Sequence, residues 1–182
     1  MSLANKGGKM SLLINIFGAP KSGKTTMMAS ITTFLKLRGA KCEMAPDFPK
    51  EVLYEERFSL LQRQLYILAV QEKRIYDLYK FSDVVVTDCP ILHSVVYNHD
   101  QCKTLHPYIK ELHESYNNLN IMMRRTVKPN YGCFKIFTPA QLDAIEENIY
   151  ATIKPYKHYV FDQKPESLSE VQNLIIKEMD VL

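Results

Sequence analysis

The sequence predicts an α/β protein in which a parallel sheet of five strands carries helices on both faces. Apolar runs of strand length alternate with longer segments in which apolar residues recur at helical spacing. One run contains three consecutive valines, 84–86, which is typical of a strand buried on both faces of a parallel sheet. A loop containing two glycines joins the first apolar run directly to the first helical segment, as in a strand–loop–helix unit.

The composition indicates one soluble globular domain. The chain of 182 residues is 46% hydrophobic and 24% charged, and its net charge of +3 neither requires nor excludes nucleic acid as a partner. We expect residues 11–182 to form this domain and residues 1–10 to form a flexible tail. The four cysteines form no C-x-x-C pair, and neither a signal peptide nor a membrane span is visible, so we expect a cytoplasmic protein with free thiols.

The strand and helix boundaries follow from periodicity and from Gly, Pro and capping residues. The predicted strands are 12–17, 40–45, 83–87, 119–123 and 157–161. The predicted helices are 25–38, 50–82 with a break near Ser59, 107–116, 139–153 and a last helix to residue 179. Thr138 to Gln141 and Ser167 to Glu170 both read as capping boxes, so they are predicted to open the last two helices.

The loop after the first strand fits the pattern G-x-x-x-x-G-K-[ST], the Walker A phosphate-binding motif. Its glycines let the backbone approach a polyphosphate closely, and the following helix adds a partial positive charge at its start. Lys24 is expected to reach the β- and γ-phosphates, and the Thr25 hydroxyl to bind Mg²⁺. The residues predicted to bind the nucleotide are Gly18, Ala19, Pro20, Lys21, Ser22, Gly23, Lys24, Thr25 and Thr26. The motif predicts a three-layer P-loop NTPase fold.

Charged residues follow three further strands, and parallel strands end at one edge of a sheet, where ligands bind. Asp88 follows the valine-rich strand as a Walker B aspartate would, which favours a role as magnesium ligand or general base. Asp47 either orients and deprotonates a substrate hydroxyl or simply caps the next helix. Arg124 and Arg125 end the fourth strand, where at least one guanidinium is expected to meet phosphate.

The phosphate loop, the Val-Val-Val-Thr-Asp-Cys-Pro strand and the Arg-Arg pair resemble the nucleoside and nucleotide kinase group of P-loop proteins. The closest likeness is to nicotinamide-riboside-kinase-like domains of bacterial NAD-metabolism proteins and their phage relatives, over about residues 11–180. The resemblance implies the strand order 2-3-1-4-5 and a mobile lid at 126–137. Such lids usually carry several arginines, whereas this segment offers only Lys128 and Lys135.

The resemblance also implies that the helix after the second strand lines the acceptor pocket. Gln64 is then a candidate to read a base edge and Arg57 to bind a phosphate, although spacing by seven is also typical of a solvated helix face. Glu43 is a further candidate to bind the substrate. The loop Phe161 to Pro165 corresponds to one that often wraps the adenine ring in these kinases. The histidines near Cys102 fit no common structural zinc pattern.

The leading hypothesis is therefore an ATP- and Mg²⁺-dependent kinase. It would transfer the γ-phosphoryl group to a hydroxyl or phosphate of a small nucleoside- or nucleotide-like molecule. ATP is favoured over GTP because the guanine-specific N-K-x-D pattern is missing, the only Asn-Lys pair being Asn5-Lys6. Two alternatives stay open: a kinase of a polynucleotide end or modified DNA base, and a regulatory NTPase whose slow hydrolysis times a partner interaction.

Overall fold

The computed structural model of the chain describes residues 11–98, 104–126 and 137–179. The strands are β1 (Leu12–Phe17), β2 (Cys42–Ala45), β3 (Val84–Thr87), β4 (Asn118–Arg124) and β5 (His158–Asp162). The helices are α1 (Lys24–Leu37), α2 (Phe48–Tyr54), α3 (Phe58–Leu61), α4 (Gln64–Tyr79), α5 (His93–Val96), α6 (Leu105–Glu114), α7 (Pro139–Ile153) and α8 (Glu166–Met179). The tail expected at residues 1–10 and most of the lid expected at 126–137 lie outside these ranges.

The predicted sheet is confirmed in composition, direction and order. All four neighbouring pairs are parallel, and the strands lie in the order β2-β3-β1-β4-β5. Because β1 is central, its side chains are buried on both faces of the sheet and alternate between two cores. Ile14 packs in the core that α1 and α8 cover, and Leu13 in the core that α4, α6 and α7 cover. Helices therefore lie on both faces, as predicted.

Two local predictions need correction. The segment 50–82 forms three helices rather than one or two, because the chain breaks at 55–57, where Glu56 has a positive φ of 55°, and again at 62–63. The second capping box is wrong: α8 begins at Glu166, so Ser167 lies inside the helix, and its hydroxyl donates to the Asp162 carbonyl at 2.8 Å. The first capping box is confirmed, since the side chains and backbones of Thr138 and Gln141 pair reciprocally.

None of the helices that the structure describes combines the length and the apolar character needed to span a bilayer.

His113 on α6 makes folding sensitive to mild acid. Its side chain is buried, both ring nitrogens lack hydrogen-bond partners, and its ring packs edge-on against Tyr156 with centroids 4.9 Å apart. Burial lowers the pKa of His113 to about 4. The unfolded chain binds this proton near pH 6.5, so stability falls as the pH drops from 6.5 toward 4.

We expect His113→Leu to remove that part of the pH dependence. Between pH 7 and pH 5 the wild type should lose about 2 kcal/mol more unfolding free energy than the variant. Urea unfolding at the two pH values measures this difference. Equal losses of unfolding free energy in the wild type and the variant would show that His113 does not cause the pH dependence.

Candidate functional site

The turn after β1 forms a backbone cradle that only glycine permits at its first position. Gly18 has φ of 143°, and an added Cβ would overlap the Ser22 hydroxyl and lie 2.6 Å from the Met123 carbonyl oxygen. Lys21 and Gly23 also adopt left-handed conformations, with φ of 68° and 85°. Alternating hands of this kind turn successive N–H groups toward one concavity, which suits an anion.

The start of α1 is left open toward that concavity. Gly23 is the N-cap, no side chain caps the helix, and its first turn contains no acidic residue. The first N–H groups of a helix have no acceptor within the helix, and here they combine with the positive end of the helix dipole. This arrangement is the one that binds phosphate in many proteins.

Lys24 is the first residue of α1, and its half-buried side chain lies against the phosphate loop. Its Nζ donates to the Ala19 carbonyl at 3.0 Å. Burial lowers the pKa of Lys24, and the nearby Asp47 and Asp88 carboxylates partly oppose this effect. A bound phosphate oxygen would favour the charged form further, because it adds a negative partner in a dry place.

Asp88 and Thr25 form the oxygen-rich part of the site. The Thr25 hydroxyl donates to Asp88 Oδ2 at 2.5 Å, while Asp88 Oδ1 is buried and has no hydrogen-bond partner in the protein. A carboxylate oxygen without a partner beside a hydroxyl is a donor set that fits Mg²⁺, which prefers hard oxygen ligands and retains several waters.

Asp47 stands at the end of β2 and caps α2, where its Oδ1 accepts a hydrogen bond from the Lys50 N–H at 3.2 Å. Burial raises the pKa of the Asp47 carboxyl, Lys24 opposes this rise, and Asp88 adds to it. The cap and the proximity to Lys24 are compatible, so the two roles weighed for Asp47 do not exclude each other.

Thr87, the last residue of β3, fixes the two acidic loops relative to each other. Its hydroxyl donates to the Ala45 carbonyl at 2.8 Å and accepts from the Cys89 N–H at 3.1 Å. Gln71 on α4 supports the same corner, because its Oε1 accepts from the Phe48 N–H at 3.1 Å. The strand ends that carry Asp47 and Asp88 are thus tied by buried hydrogen bonds.

A cavity of about 640 Å³ extends from the phosphate loop over these carboxylates. Its described walls come from α2, α3 and α4 on one side, from the segment after β3 on a second, and from α7 and the turn after β5 on a third. The volume lies within the usual range for a site that binds small molecules.

The structure brings several of the predicted site residues to this cavity. Pro20, Lys21, Gly23, Lys24, Thr25 and Thr26 line it on the phosphate-loop side. Asp47 also lines it, together with Gln64, which is only 9% exposed and whose amide donates to the Leu61 carbonyl at 2.9 Å. Asp88 and Ser22 are buried just behind them.

Two predicted substrate-binding residues lie elsewhere. Glu43 is exposed on the edge strand β2 and pairs at 3.1 Å with Lys36, near the far end of α1. Arg57 sits in the turn between α2 and α3, is exposed, and pairs with Glu55. Neither side chain lines the cavity in the described part of the chain.

The arginine pair at the end of β4 is divided between two partners. Arg124 is exposed and pairs with Asp162 of β5, its Nε lying 2.9 Å from Oδ1. Arg125 is largely buried, pairs with Asp143 of α7, and leaves its Nη1 without a hydrogen-bond partner. Both guanidiniums are thus anchored at the base of the segment expected to form the lid.

The cavity is also lined by residues that were not selected as site residues from the sequence, among them His93, Tyr97 and Gln163. His93 begins the short helix α5 and Tyr97 directly follows its last residue, within a stretch whose pattern was ambiguous. Gln163 follows β5 and packs against the phosphate loop, its Cγ 3.3 Å from a Cβ built on Gly23.

Burial at Asp47 gives a prediction with a definite sign. Its carboxyl keeps a proton in the folded state at pH values where the unfolded chain has lost it, so stability falls as the pH rises from the ordinary pKa of 3.8 through the raised one. Asp47→Asn removes this loss and retains an oxygen that can cap α2. We expect a higher Tm than that of the wild type at pH 7, and no difference below about pH 4.

The matched control is Asp77→Asn on α4. The Lys73 ammonium holds the pKa of Asp77 below its usual range, so this change should not raise Tm at pH 7. A Tm of Asp47→Asn below that of the wild type at pH 7 would contradict the burial argument.

Comparison with known proteins yields fold relatives and no sequence relatives. No family model and no curated protein matches the chain. Thymidylate kinase from Ehrlichia chaffeensis matches with a TM-score of 0.62 at 17% identity, over 94% of this chain and 99% of that one. Deoxyadenosine kinase from M. mycoides, solved with dCMP and dCDP, matches with a TM-score of 0.61 at 17% identity, over 93% of this chain and 100% of that one.

The third relative is the NadR protein in complex with NR. It matches with a TM-score of 0.68 at 13% identity, over 90% of this chain and 51% of that one, so the present chain spans about half of NadR. NadR in complex with NAD and AMP-PNP matches with a TM-score of 0.65 at 12% identity. The fold is therefore that of the P-loop nucleoside and nucleotide kinases, as the resemblance in sequence implies.

Proposed function

We propose that the protein is an ATP- and Mg²⁺-dependent kinase that phosphorylates a nucleoside- or nucleotide-like small molecule. One observation carries the proposal: the Lys24 ammonium, at the open start of α1, lies close to two carboxylates, Asp47 and Asp88, which follow neighbouring strands. A cradle for the donor phosphates and an acid–base group for the acceptor thus share one cavity. Two of the fold relatives, thymidylate kinase and deoxyadenosine kinase, are kinases by name, which supports this assignment.

Each group has a defined task. The Walker A backbone and Lys24 bind and orient the donor phosphates and stabilise the charge that spreads over them during transfer. Thr25 and Asp88 would hold Mg²⁺, which supplies charge neutralisation when bound. Asp47 would accept the proton from the acceptor, and its raised pKa makes it a stronger base than an ordinary aspartate.

Calorimetry followed by a transfer assay tests the proposal. Mg²⁺-ATP titrated into the full chain should release or absorb heat with a one-to-one stoichiometry. ATP labelled on the γ-phosphate should then pass its label to a member of a panel of nucleosides, nicotinamide riboside, nucleoside monophosphates and a 5′-hydroxyl oligonucleotide. No heat with Mg²⁺-ATP would refute the nucleotide site.

Hydrolysis of ATP with no labelled acceptor would favour the regulatory NTPase. A label found on the oligonucleotide alone would favour a polynucleotide kinase.

A further inference from the structure

The cavity wall after β3 contains a buried polar group that the proposed chemistry does not use. His93 is 6% exposed, lines the cavity, and its Nε2 has no hydrogen-bond partner in the protein. Its ring is fixed by edge-on contacts with Phe17 and Tyr97, at centroid distances of 5.4 and 6.2 Å. Leaving a buried polar atom unsatisfied costs free energy, so an occupant of the cavity that supplies a partner is favoured.

This group is uncharged at neutral pH. Burial lowers the pKa of His93 well below its ordinary value, and the neighbouring Lys24 ammonium lowers it further. A neutral imidazole offers a donor at one nitrogen and an acceptor at the other, and no charge. It therefore suits a hydroxyl or a base edge better than a phosphate dianion.

The rest of this side of the cavity has the same character. Gln64 offers a neutral amide and Asp47 a carboxylate. Among the described residues that line the cavity there is no arginine, and Lys50 has its ammonium over the Tyr54 ring, 5.9 Å from its centroid. A second phosphate placed beside the Asp47 carboxylate would meet repulsion that no described guanidinium offsets.

We propose that the acceptor is a nucleoside that receives the phosphoryl group on a hydroxyl, and that His93 Nε2 holds it by a hydrogen bond. This inference rests on the proposed kinase function and chooses between its two acceptor classes. The acceptor oxygen forms the new bond to phosphorus, the bond to the leaving ADP breaks, and the hydroxyl proton passes to the Asp47 carboxylate. Nucleoside monophosphates bind poorly because their phosphate would lie against that carboxylate.

Matched pairs of acceptors test whether the acceptor is a nucleoside rather than a nucleotide. Each nucleoside is compared with its own 5′-monophosphate, under saturating Mg²⁺-ATP, using the common purine and pyrimidine ribo- and deoxyribonucleosides and nicotinamide riboside. We expect kcat/KM for the preferred nucleoside to exceed that for its monophosphate at least 100-fold. A preferred monophosphate, or transfer to no nucleoside by protein that binds Mg²⁺-ATP, overturns the inference and leaves the nucleotide site standing.

Variants of His93 test whether its Nε2 holds the nucleoside by a hydrogen bond. His93→Leu should lower kcat/KM for the nucleoside about tenfold, mainly through KM, the loss expected for one hydrogen bond. His93→Gln, which keeps a donor and an acceptor, should recover part of it. The Kd for Mg²⁺-ATP, measured by calorimetry, should stay as in the wild type in both variants.

His158→Leu on β5 is the control histidine change, because His158 does not line the cavity. An unchanged KM for the nucleoside in both His93 variants overturns the role of His93. If His93→Leu fails to fold, the KM of His93→Gln and the acceptor preference of the wild type still decide. Failure of the wild type to bind Mg²⁺-ATP refutes the proposed function itself, so the two failures are distinguishable.

Discussion

Replacing Lys24 by Met should lower γ-phosphoryl transfer by about 10²–10³-fold, the loss typical of removing one electrostatic donor from a transition state. The ammonium lies at the start of α1, lines the cavity and donates only to the Ala19 carbonyl among the described groups, so it is available to a phosphate oxygen. Methionine fills a similar volume without charge. Transfer to the preferred acceptor, measured as kcat at saturating ATP, reports the effect.

Lys36→Met is the matched control, because Lys36 lies near the other end of α1 and pairs with Glu43 on the surface. This variant should transfer at the rate of the wild type. Both variants should give the circular dichroism spectrum of the wild type. Full transfer by Lys24→Met would remove the lysine from the chemistry, whatever the fold.

Gly18→Ala should abolish nucleotide binding and destabilise the protein by about 3 kcal/mol or more. The added Cβ would overlap the Ser22 hydroxyl and approach the Met123 carbonyl of β4 to 2.6 Å, and φ of 143° is unfavourable for any residue with a side chain. The loop and the sheet both have to move to admit it. Urea unfolding and calorimetry with Mg²⁺-ATP measure the two effects.

Gly39→Ala separates backbone strain from collision. Gly39 also has a positive φ, 84°, but a Cβ built there meets nothing within 4 Å. Its cost should be about 1 kcal/mol, with nucleotide affinity unchanged. If the two variants lose the same stability, the close packing at Gly18 is not the cause.

The parts of the fold that follow from periodicity were predictable. The apolar run of β1 and the valines of β3 reflect burial on both faces of a sheet, a constraint visible in the residues themselves. A break near Ser59 was predicted, but the positions of the two breaks within 50–82 were not, because Glu56 takes a positive φ in a segment without glycine or proline. Ser167 imitates a capping residue, yet its hydroxyl bonds instead to the carbonyl that ends β5.

The candidate site was predictable to the extent that it depends on strand ends. Asp47 and Asp88 meet because parallel strands finish at one edge, whereas Glu43 lies two residues before the end of β2, on its exposed side. The helical spacing that grouped Arg57 with Gln64 failed, because the chain turns between them. His93 could not be predicted as a cavity residue from the sequence, since the fold of the segment after Asp88 decides which of its side chains line the cavity.

The Thr87 hydroxyl joins the ends of β2 and β3 inside the sheet. The separation between Asp47, the proposed proton acceptor, and Asp88, the proposed magnesium ligand, is therefore set by the sheet, while the surfaces proposed to contact the acceptor come from short helices. Substitutions in α2, α3 or α5 could then change the preferred substrate and leave the reaction unchanged. Proteins with the same sheet could therefore act on different but related metabolites after a few substitutions in these short helices.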